Sequence, residues 1–164
     1  MAGDAPRRTP GDVALRDVTE GDLPVFYENQ RDPEAVRMAC FPARGRKEYL
    51  AQWTRILADG TVGKKTILFD GQVAGNILSF EEDDERYVGY WLGREYWGKG
   101  IATRALAAFL DEETERPLYA RVATQNVASV RVLEKCGFVV CGEEKGFPGP
   151  DGENVDELIL KLHG

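Results

Sequence analysis

The spacing of hydrophobic positions changes along the chain and divides it into helix-like and strand-like segments. In residues 46–60 apolar side chains recur every three or four positions, which predicts an amphipathic helix that ends at Gly60. The apolar positions of this helix are Tyr49, Leu50, Trp53, Ile56 and Leu57. In residues 64–80 two strand-like runs flank Asp70 and Gly71, a dipeptide that favours a tight β-hairpin turn.

The same criteria predict the remaining elements. Residues 13–30 begin with a short strand, followed by Thr19 as an N-cap and a helix that starts near Leu23. Further along the chain the pattern predicts, in order, a loop and strand (81–93), a helix (100–113), a strand (117–124), a helix from Asn126 to Gly137 and a closing hairpin (138–162). The order β-α-α-β-β-β-α-β-α-β-β implies one α/β (α+β) domain over residues 13–162, with a mixed central sheet of about seven strands flanked by about four helices.

Length and charge limit the classes of protein. The 164 residues, 43% of them hydrophobic, are enough for one buried core. The net charge of −7 argues against a nucleic-acid-binding module, because acidic residues outnumber basic ones. The negative field is compatible with a cationic or amine-bearing partner, although acidity is also common among soluble proteins. Residues 1–12 offer little to bury, and we expect them to be disordered.

Cysteine and histidine usage excludes several kinds of site. Cys40, Cys136 and Cys141 are odd in number and irregularly spaced, which indicates a reducing compartment rather than a disulfide framework. The single histidine, His163, lies one residue from the end, so neither a histidine-based hydrolase nor a histidine-rich zinc site is expected. No export signal or membrane-spanning run is recognisable. We therefore expect a cytoplasmic protein that binds neither a membrane nor a metal ion.

A glycine-rich turn within residues 94–110 joins a strand-like run to a helix-like run. The amides of a helix's first turn lack intrahelical partners and the helix dipole favours negative charge, so such a turn is suited to binding phosphate. Gly98 and Gly100 would let the phosphate approach the backbone, and Thr103 would add a hydroxyl. A tight turn that needs glycine only for its backbone angles explains the two glycines equally well. The G-x-G-x-A spacing does not match a dinucleotide-binding fingerprint.

Two segments resemble motifs of one enzyme family. The run GYWLGREYWGKGIATRAL resembles the central motif of the GNAT N-acetyltransferase superfamily, Q/R-x-x-G-x-G/A, with Glu95, Gly98 and Gly100 at its defined positions. The run NVASVRVLEKCGF resembles the N-x-x-S-x-x-x-x-E-K-x-G-F helix of the ribosomal-protein N-acetyltransferase (RimJ/RimL-type) branch. Glu95 departs from the first motif, but the contact would use backbone amides. The resemblance extends over residues 13–162.

The resemblance implies an acetyl-CoA site and assigns residues to it. The strand segment 88–92 would splay from its neighbour and pair with the pantetheine arm, and an amide near Tyr90 would face the acetyl oxygen. Many family members carry a tyrosine as general acid where this chain has Leu133, so Ser129 is the expected proton donor or sulfur partner. The implied cofactor-binding residues are Tyr90, Trp91, Leu92, Tyr96, Trp97, Gly98, Lys99, Gly100, Ile101, Ala102, Thr103, Asn126 and Ser129.

Several alternatives stay open at this point. Asn126 and Ser129 are also explained by helix capping and packing. The base that deprotonates the amine is not selected among five carboxylates, which are Glu81, Glu82, Asp83, Glu85 and Glu157. The implied activity is direct acetyl transfer through a ternary complex to a primary amine, either a protein N-terminus or a small molecule. A non-catalytic acyl-CoA-binding module is the alternative, and an edge strand or the closing hairpin would support a homodimer.

Overall fold

A mixed β-sheet forms the centre of the computed structural model, which describes residues 11–40, 43–148 and 154–164. The strands are β1 (Val13–Arg16), β2 (Gly63–Phe69), β3 (Gln72–Glu82), β4 (Glu85–Leu92), β5 (Leu118–Ala123), β6 (Val139–Pro148) and β7 (Asn154–Leu162). The helices are α1 (Leu23–Arg31), α2 (Pro33–Ala39), α3 (Arg46–Ala58), α4 (Ile101–Glu112) and α5 (Val127–Lys135). Short 3-10 turns precede α1 and α4. The predicted fold class and seven strands are confirmed.

Helix α2 is the element that the sequence pattern missed, so the described part of the chain has five helices where about four were expected. It has seven residues, too few to show a helical repeat. It begins at Pro33, and the side chain of Asp32 accepts a hydrogen bond of 2.9 Å from the amide of Glu34. An acidic N-cap followed by proline is a helix-start signal, and it was present in the sequence.

The sheet has the strand order β1-β2-β3-β4-β5-β7-β6. Successive strands from β1 to β4 pair antiparallel, β4 and β5 pair in parallel, and β7 pairs antiparallel with both β5 and β6. The parallel pairing covers only Arg86 with Leu118 and Tyr87 with Tyr119. Residues 88–92 of β4 therefore have no ladder partner on the β5 side among the described residues, and the two strands separate there as expected.

Two hydrophobic clusters lie on opposite faces of the sheet. The larger packs α4 and α5 against one face and includes Val88, Leu92, Ile101 and Leu106. The smaller packs α1 and α3 against the other face. Because side chains alternate along a strand, Tyr90 points towards α4 and α5 with Val88 and Leu92. The two neighbours of Tyr90 in the chain point to the opposite face.

Two predictions lie mostly outside the described residues: the disorder of residues 1–12 and the turn of the closing hairpin. Gly11 and Asp12 are described, and their amides donate hydrogen bonds of 2.8 and 2.9 Å to the carboxylate of Asp70. Within the described residues, no helix has the length and apolar character needed to cross a membrane.

Candidate active site

A cleft of about 450 Å³ opens beside the unpaired end of β4. Its walls are α2, the end of β4, the glycine turn with the start of α4, and α5. The lining residues are Ala35, Met38, Ala39, Tyr90, Trp91, Leu92, Tyr96, Trp97, Gly98, Gly100, Ile101, Ala102, Thr103, Asn126, Ala128, Ser129, Arg131, Val132 and Lys135. The structure thus brings together all the predicted site residues except Lys99. The ammonium of Lys99 lies 6.0 Å from the ring centroid of Phe69.

The glycine turn has the geometry that both a phosphate-binding turn and a tight turn with glycine backbone angles require. Gly98 and Gly100 have φ angles of 74° and 75°, in the left-handed region that favours glycine. Gly100 is the N-cap of α4, so the unpaired amides of the first helical turn follow it directly. A Cβ atom at either glycine would find no atom within 4 Å, so open space adjoins both backbones. The backbone angles alone justify the glycines, and phosphate binding stays a prediction.

The end of β4 is held in place by indole hydrogen bonds. Trp91 points towards α1, where its Nε1 donates a hydrogen bond of 3.0 Å to the carbonyl of Asn29. Trp97 folds back from the glycine turn, and its Nε1 donates a hydrogen bond of 3.2 Å to the carbonyl of Leu92. Gly75 of β3 allows close packing here, because a Cβ at that position would lie 2.0 Å from the carbonyl oxygen of Trp91. Residues 88–92 therefore form a fixed edge beside the cleft.

A tyrosine and a serine hydroxyl meet inside the cleft. The Tyr90 hydroxyl and Ser129 Oγ lie 2.8 Å apart, in hydrogen-bond contact. Ser129 is in the first turn of α5, where its amide donates a hydrogen bond of 3.3 Å to the side chain of Asn126, the predicted N-cap. Burial raises the pKa of Tyr90 to about 12, although the contact with Ser129 acts in the opposite direction. The phenol therefore stays protonated at neutral pH.

This hydroxyl pair is what sequence reasoning missed at the site. The motif resemblance implies a role for the backbone amide of Tyr90 only, and the chain has Leu133 where many family members carry a catalytic tyrosine. The two residues are 39 positions apart, so no local spacing relates them. The missed wall residues come from α2 (Ala35, Met38, Ala39) and from α5 (Ala128, Arg131, Val132, Lys135). Ala128, Val132 and Lys135 follow one another at steps of four and three residues, so they share one face of α5, and this signal was present in the sequence.

The structure separates the five candidate bases. Glu81, Glu82, Asp83 and Glu85 are exposed at the tip of the hairpin between β3 and β4. Glu157 of β7 is half-buried instead. Burial raises its pKa, and nearby carboxylates raise it further, while the guanidinium of Arg121 lowers it. Glu157 is therefore the one of the five that combines partial burial with a raised pKa.

Register places Glu157 relative to the opening in the sheet. Glu157 pairs with Ala123 of β5, and directly paired residues point to the same face. The pairing of Tyr87 with Tyr119 relates the faces of β4 and β5. Along β5, Ala123 lies an even number of residues from Tyr119 and so faces the same side of the sheet. Along β4, Gly89 and Trp91 lie an even number of residues from Tyr87. Glu157 therefore lies on the same face of the sheet as Gly89 and Trp91. A Cβ at Gly89 would find no atom within 4 Å, so this face is open beside the gap.

Comparison with known proteins identifies the family. The model of the acetyltransferase (GNAT) domain matches residues 12–139. The chain belongs to the GNAT acetyltransferase family. The predicted resemblance and enzyme class, an N-acetyltransferase, are thereby confirmed.

Relatives of this GNAT domain include YdaF of Bacillus subtilis (strain 168), by name a candidate ribosomal N-acetyltransferase. It is 32% identical over 144 residues, which cover 84% of this chain and 74% of YdaF. RimJ of Mycobacterium smegmatis, solved with CoA-disulfide, has a TM-score of 0.79 at 24% identity, covering 94% of this chain and 83% of RimJ. Spermidine N-acetyltransferase of Vibrio cholerae, solved with CoA and spermine, has a TM-score of 0.81 at 18% identity. The match covers 92% of this chain and 95% of the spermidine enzyme. At these identities the two structures establish the shared fold.

Proposed function

We propose that the protein transfers an acetyl group from acetyl-CoA directly to a primary amine within a ternary complex. One observation carries the proposal: the unpaired edge of β4, the glycine turn at the start of α4 and the Ser129 hydroxyl all open onto the same cleft. An extended acyl-CoA molecule needs all three features: the edge of β4 for its pantetheine arm, the glycine turn for its pyrophosphate and Ser129 for its sulfur. CoA in the structures of RimJ and the spermidine enzyme supports the same cosubstrate here.

The donor side of the reaction follows from the chain's own groups. The backbone of residues 88–92 would pair with the pantetheine arm, and the amides from Gly98 to Thr103 would bind the pyrophosphate. Arg131 and Lys135, which also line the cleft, would add positive charge near these phosphates. The amide of Tyr90 would donate to the acetyl oxygen as negative charge develops there, a contact that contributes about 3 kcal/mol in comparable oxyanion sites.

The reaction requires the amine to lose a proton and the sulfur to leave. The amine nitrogen forms a bond to the acetyl carbon, the carbon–sulfur bond breaks, and its electron pair goes to the sulfur. We assign the proton of the amine to Glu157, directly or through one water molecule. Its half-burial, its raised pKa and its place on the open face beside Gly89 support this assignment.

A glutamine at position 157 tests the base. Because the raised pKa of Glu157 makes it lose its proton only at higher pH, the wild-type rate is expected to fall as the pH is lowered through that pKa. Glu157→Gln is expected to reduce kcat about 100-fold and to remove this acidic limb from the pH profile. Glu143→Gln on the exposed side of β6 is the matched control. Retention of both the rate and the acidic limb by Glu157→Gln would exclude Glu157 as the base.

The acceptor is a primary amine, and its class is open between a protein N-terminus and a small polyamine-like molecule. The name of YdaF and the structure of RimJ favour a protein N-terminus, whereas the spermidine enzyme favours a small amine. The net charge of −7 suits either, because both acceptors are cationic before deprotonation. A panel with both acceptor types, read by release of the free CoA thiol, distinguishes them.

Calorimetry of acetyl-CoA binding is the decisive first experiment. Gly100→Glu is expected to abolish binding, because it places a carboxylate beside the phosphate amides and strains a residue with positive φ. Gly45→Glu is the matched control, since Gly45 has an ordinary φ of −65° and no atom within 4 Å of its Cβ position. Folded wild-type protein without measurable binding would refute the proposal. Binding without turnover on any acceptor would favour the non-catalytic alternative.

A further inference from the structure

The hydrogen bond between Tyr90 and Ser129 joins two hydroxyl groups, either of which could be the donor. The ring of Tyr90 packs against the apolar cluster of the sheet, and Ser129 is the hydrogen-bond partner of its hydroxyl within the described residues. A serine hydroxyl has one proton and two acceptor sites. A phenol is a stronger hydrogen-bond donor than an aliphatic alcohol, which favours Tyr90 as the donor and Ser129 as the acceptor. The proton of Ser129 is then left free to point into the cleft.

We infer that Tyr90 is a positioning residue, which fixes Ser129 as the hydrogen-bond donor to the CoA sulfur while that sulfur leaves as a thiolate. The inference rests on the proposed function. Of the two expected roles of Ser129, proton donor or sulfur partner, it selects the second, because the proton stays on Ser129 throughout. The carbon–sulfur electron pair remains on the sulfur, which is stabilised by a charge-assisted hydrogen bond. The thiolate takes up a proton from water after it leaves the cleft.

The relative acidities support stabilisation without proton transfer. An ordinary thiol has a pKa of about 8.5, whereas burial raises the pKa of Tyr90 to about 12. A thiolate is therefore too weak a base to take the proton that Tyr90 shares with Ser129. The hydroxyl pair is better suited to donate a hydrogen bond to sulfur than to lose a proton.

Kinetics of single and double variants test the inference. Tyr90→Phe keeps the ring in the core and removes only the hydroxyl. Ser129→Ala is expected to lower kcat about 30-fold, the range for a hydrogen bond to a charged group. Tyr90→Phe is expected to lower kcat about 5-fold, because Ser129 loses its fixed orientation. The double variant is expected to match Ser129→Ala, and KM for acetyl-CoA is expected to stay unchanged, because the charge develops only during departure.

The thiol of bound CoA gives a second measurement, which needs neither acceptor nor turnover. Ultraviolet absorbance of the thiolate is followed against pH in the complex with CoA. A pKa below that of free CoA is expected with the wild-type protein, and a higher value with Tyr90→Phe. Tyr119→Phe is the matched control, because the Tyr119 ring packs on Tyr87, away from Ser129.

The outcomes separate this inference from the proposed function. Failure of the wild-type protein to bind CoA overturns both. If CoA binds and is turned over, an unchanged kcat and an unchanged thiol pKa in Tyr90→Phe overturn the inference alone. Additive losses in the double variant also overturn it, because Tyr90 would then act independently of Ser129.

Discussion

The carboxylate of Asp22 shows how one residue can tie the edge of the sheet to the first helix. Asp22 is 3% exposed, and it accepts hydrogen bonds of 2.7 and 2.8 Å from Arg16. The same carboxylate accepts a hydrogen bond of 2.7 Å from the hydroxyl of Thr66 in β2 and one of 3.0 Å from the amide of Thr19. Burial alone would raise the pKa of Asp22, but these donors stabilise the anion more strongly and lower it. The spacing of Thr19 and Asp22 was recognisable in the sequence, whereas their distant partner in β2 was not.

The lowered pKa of Asp22 predicts a pH dependence of stability. The ionised carboxylate of Asp22 contributes fully to the free energy of unfolding above the ordinary carboxyl pKa of about 3.9. This contribution is lost as the pH falls through the lower pKa that Asp22 has in the folded protein. Asp22→Asn is expected to reduce the free energy of unfolding at pH 7 by about 2 kcal/mol and to flatten this dependence. Urea unfolding between pH 7 and acidic pH measures both. Asp17→Asn, at an exposed carboxylate paired with Lys65, is expected to have a much smaller effect.

Among the elements, α2 connects the two ends of the cleft. At its start Asp32 pairs with Arg94, just before the glycine turn, at 3.1 Å. At its end the carbonyl of Arg37 accepts a hydrogen bond of 2.6 Å from the side chain of Gln125, just before α5. A helix of seven residues has little stability of its own, so these contacts hold it in place. This dependence on distant partners explains why the hydrophobic pattern did not predict it.

Removal of one anchor of α2 is expected to weaken CoA binding without unfolding the protein. Gln125→Ala deletes two hydrogen bonds at an exposed site, to the carbonyl of Arg37 and to Cys40 Sγ, so the Kd for CoA is expected to rise about 3- to 10-fold. The thermal midpoint is expected to remain close to that of the wild type. Gln72→Ala, at the exposed start of β3, is the control for loss of a glutamine side chain. Unchanged affinity in Gln125→Ala would show that α2 needs no anchor at this end.

At the scale of the whole molecule, one ion pair joins segments that are far apart in the chain. Arg86 Nε lies 2.9 Å from Glu113, which follows α4, and both side chains are only about one-tenth exposed. The same guanidinium donates a hydrogen bond of 3.0 Å to the hydroxyl of Ser79 in β3 and one of 2.8 Å to the carbonyl of Thr61. Burial opposes ionisation of Glu113, yet its partners lower the pKa, so the pair is charged at neutral pH.

The ion pair predicts a large effect when only one partner is removed. Glu113→Ala is expected to lower the free energy of unfolding by about 3 kcal/mol, because it leaves the charge of Arg86 buried without its partner. The double variant Arg86→Met/Glu113→Leu is expected to recover most of that loss. Denaturant titration measures both. CoA affinity is expected to be unchanged, because Glu113 lies at the opposite end of α4 from the glycine turn.

The sequence predicted features that depend on neighbouring residues, such as helices and turns. It did not predict contacts between segments that are far apart in the chain. Period and turn residues identified the hairpin at Asp70 and the helix that follows Gly100, since each signal lies within a few residues. The motif resemblance assigned Ser129 and the glycine turn to one site, and both line the same cleft. The hydroxyl contact of Tyr90 with Ser129 and the insertion of β7 between β5 and β6 depend on tertiary packing, which a single sequence does not encode locally.

The position of β7 has a consequence for synthesis of the protein. The ribosome delivers β6 before β7, yet β7 is the strand that pairs with both β5 and β6. Until residues 154–162 emerge, β5 exposes a backbone edge, and the nascent chain lacks Leu160, which is fully buried in the finished core. Such an open edge is a template for aggregation. Slow translation of residues 154–162 would therefore prolong the need for a chaperone.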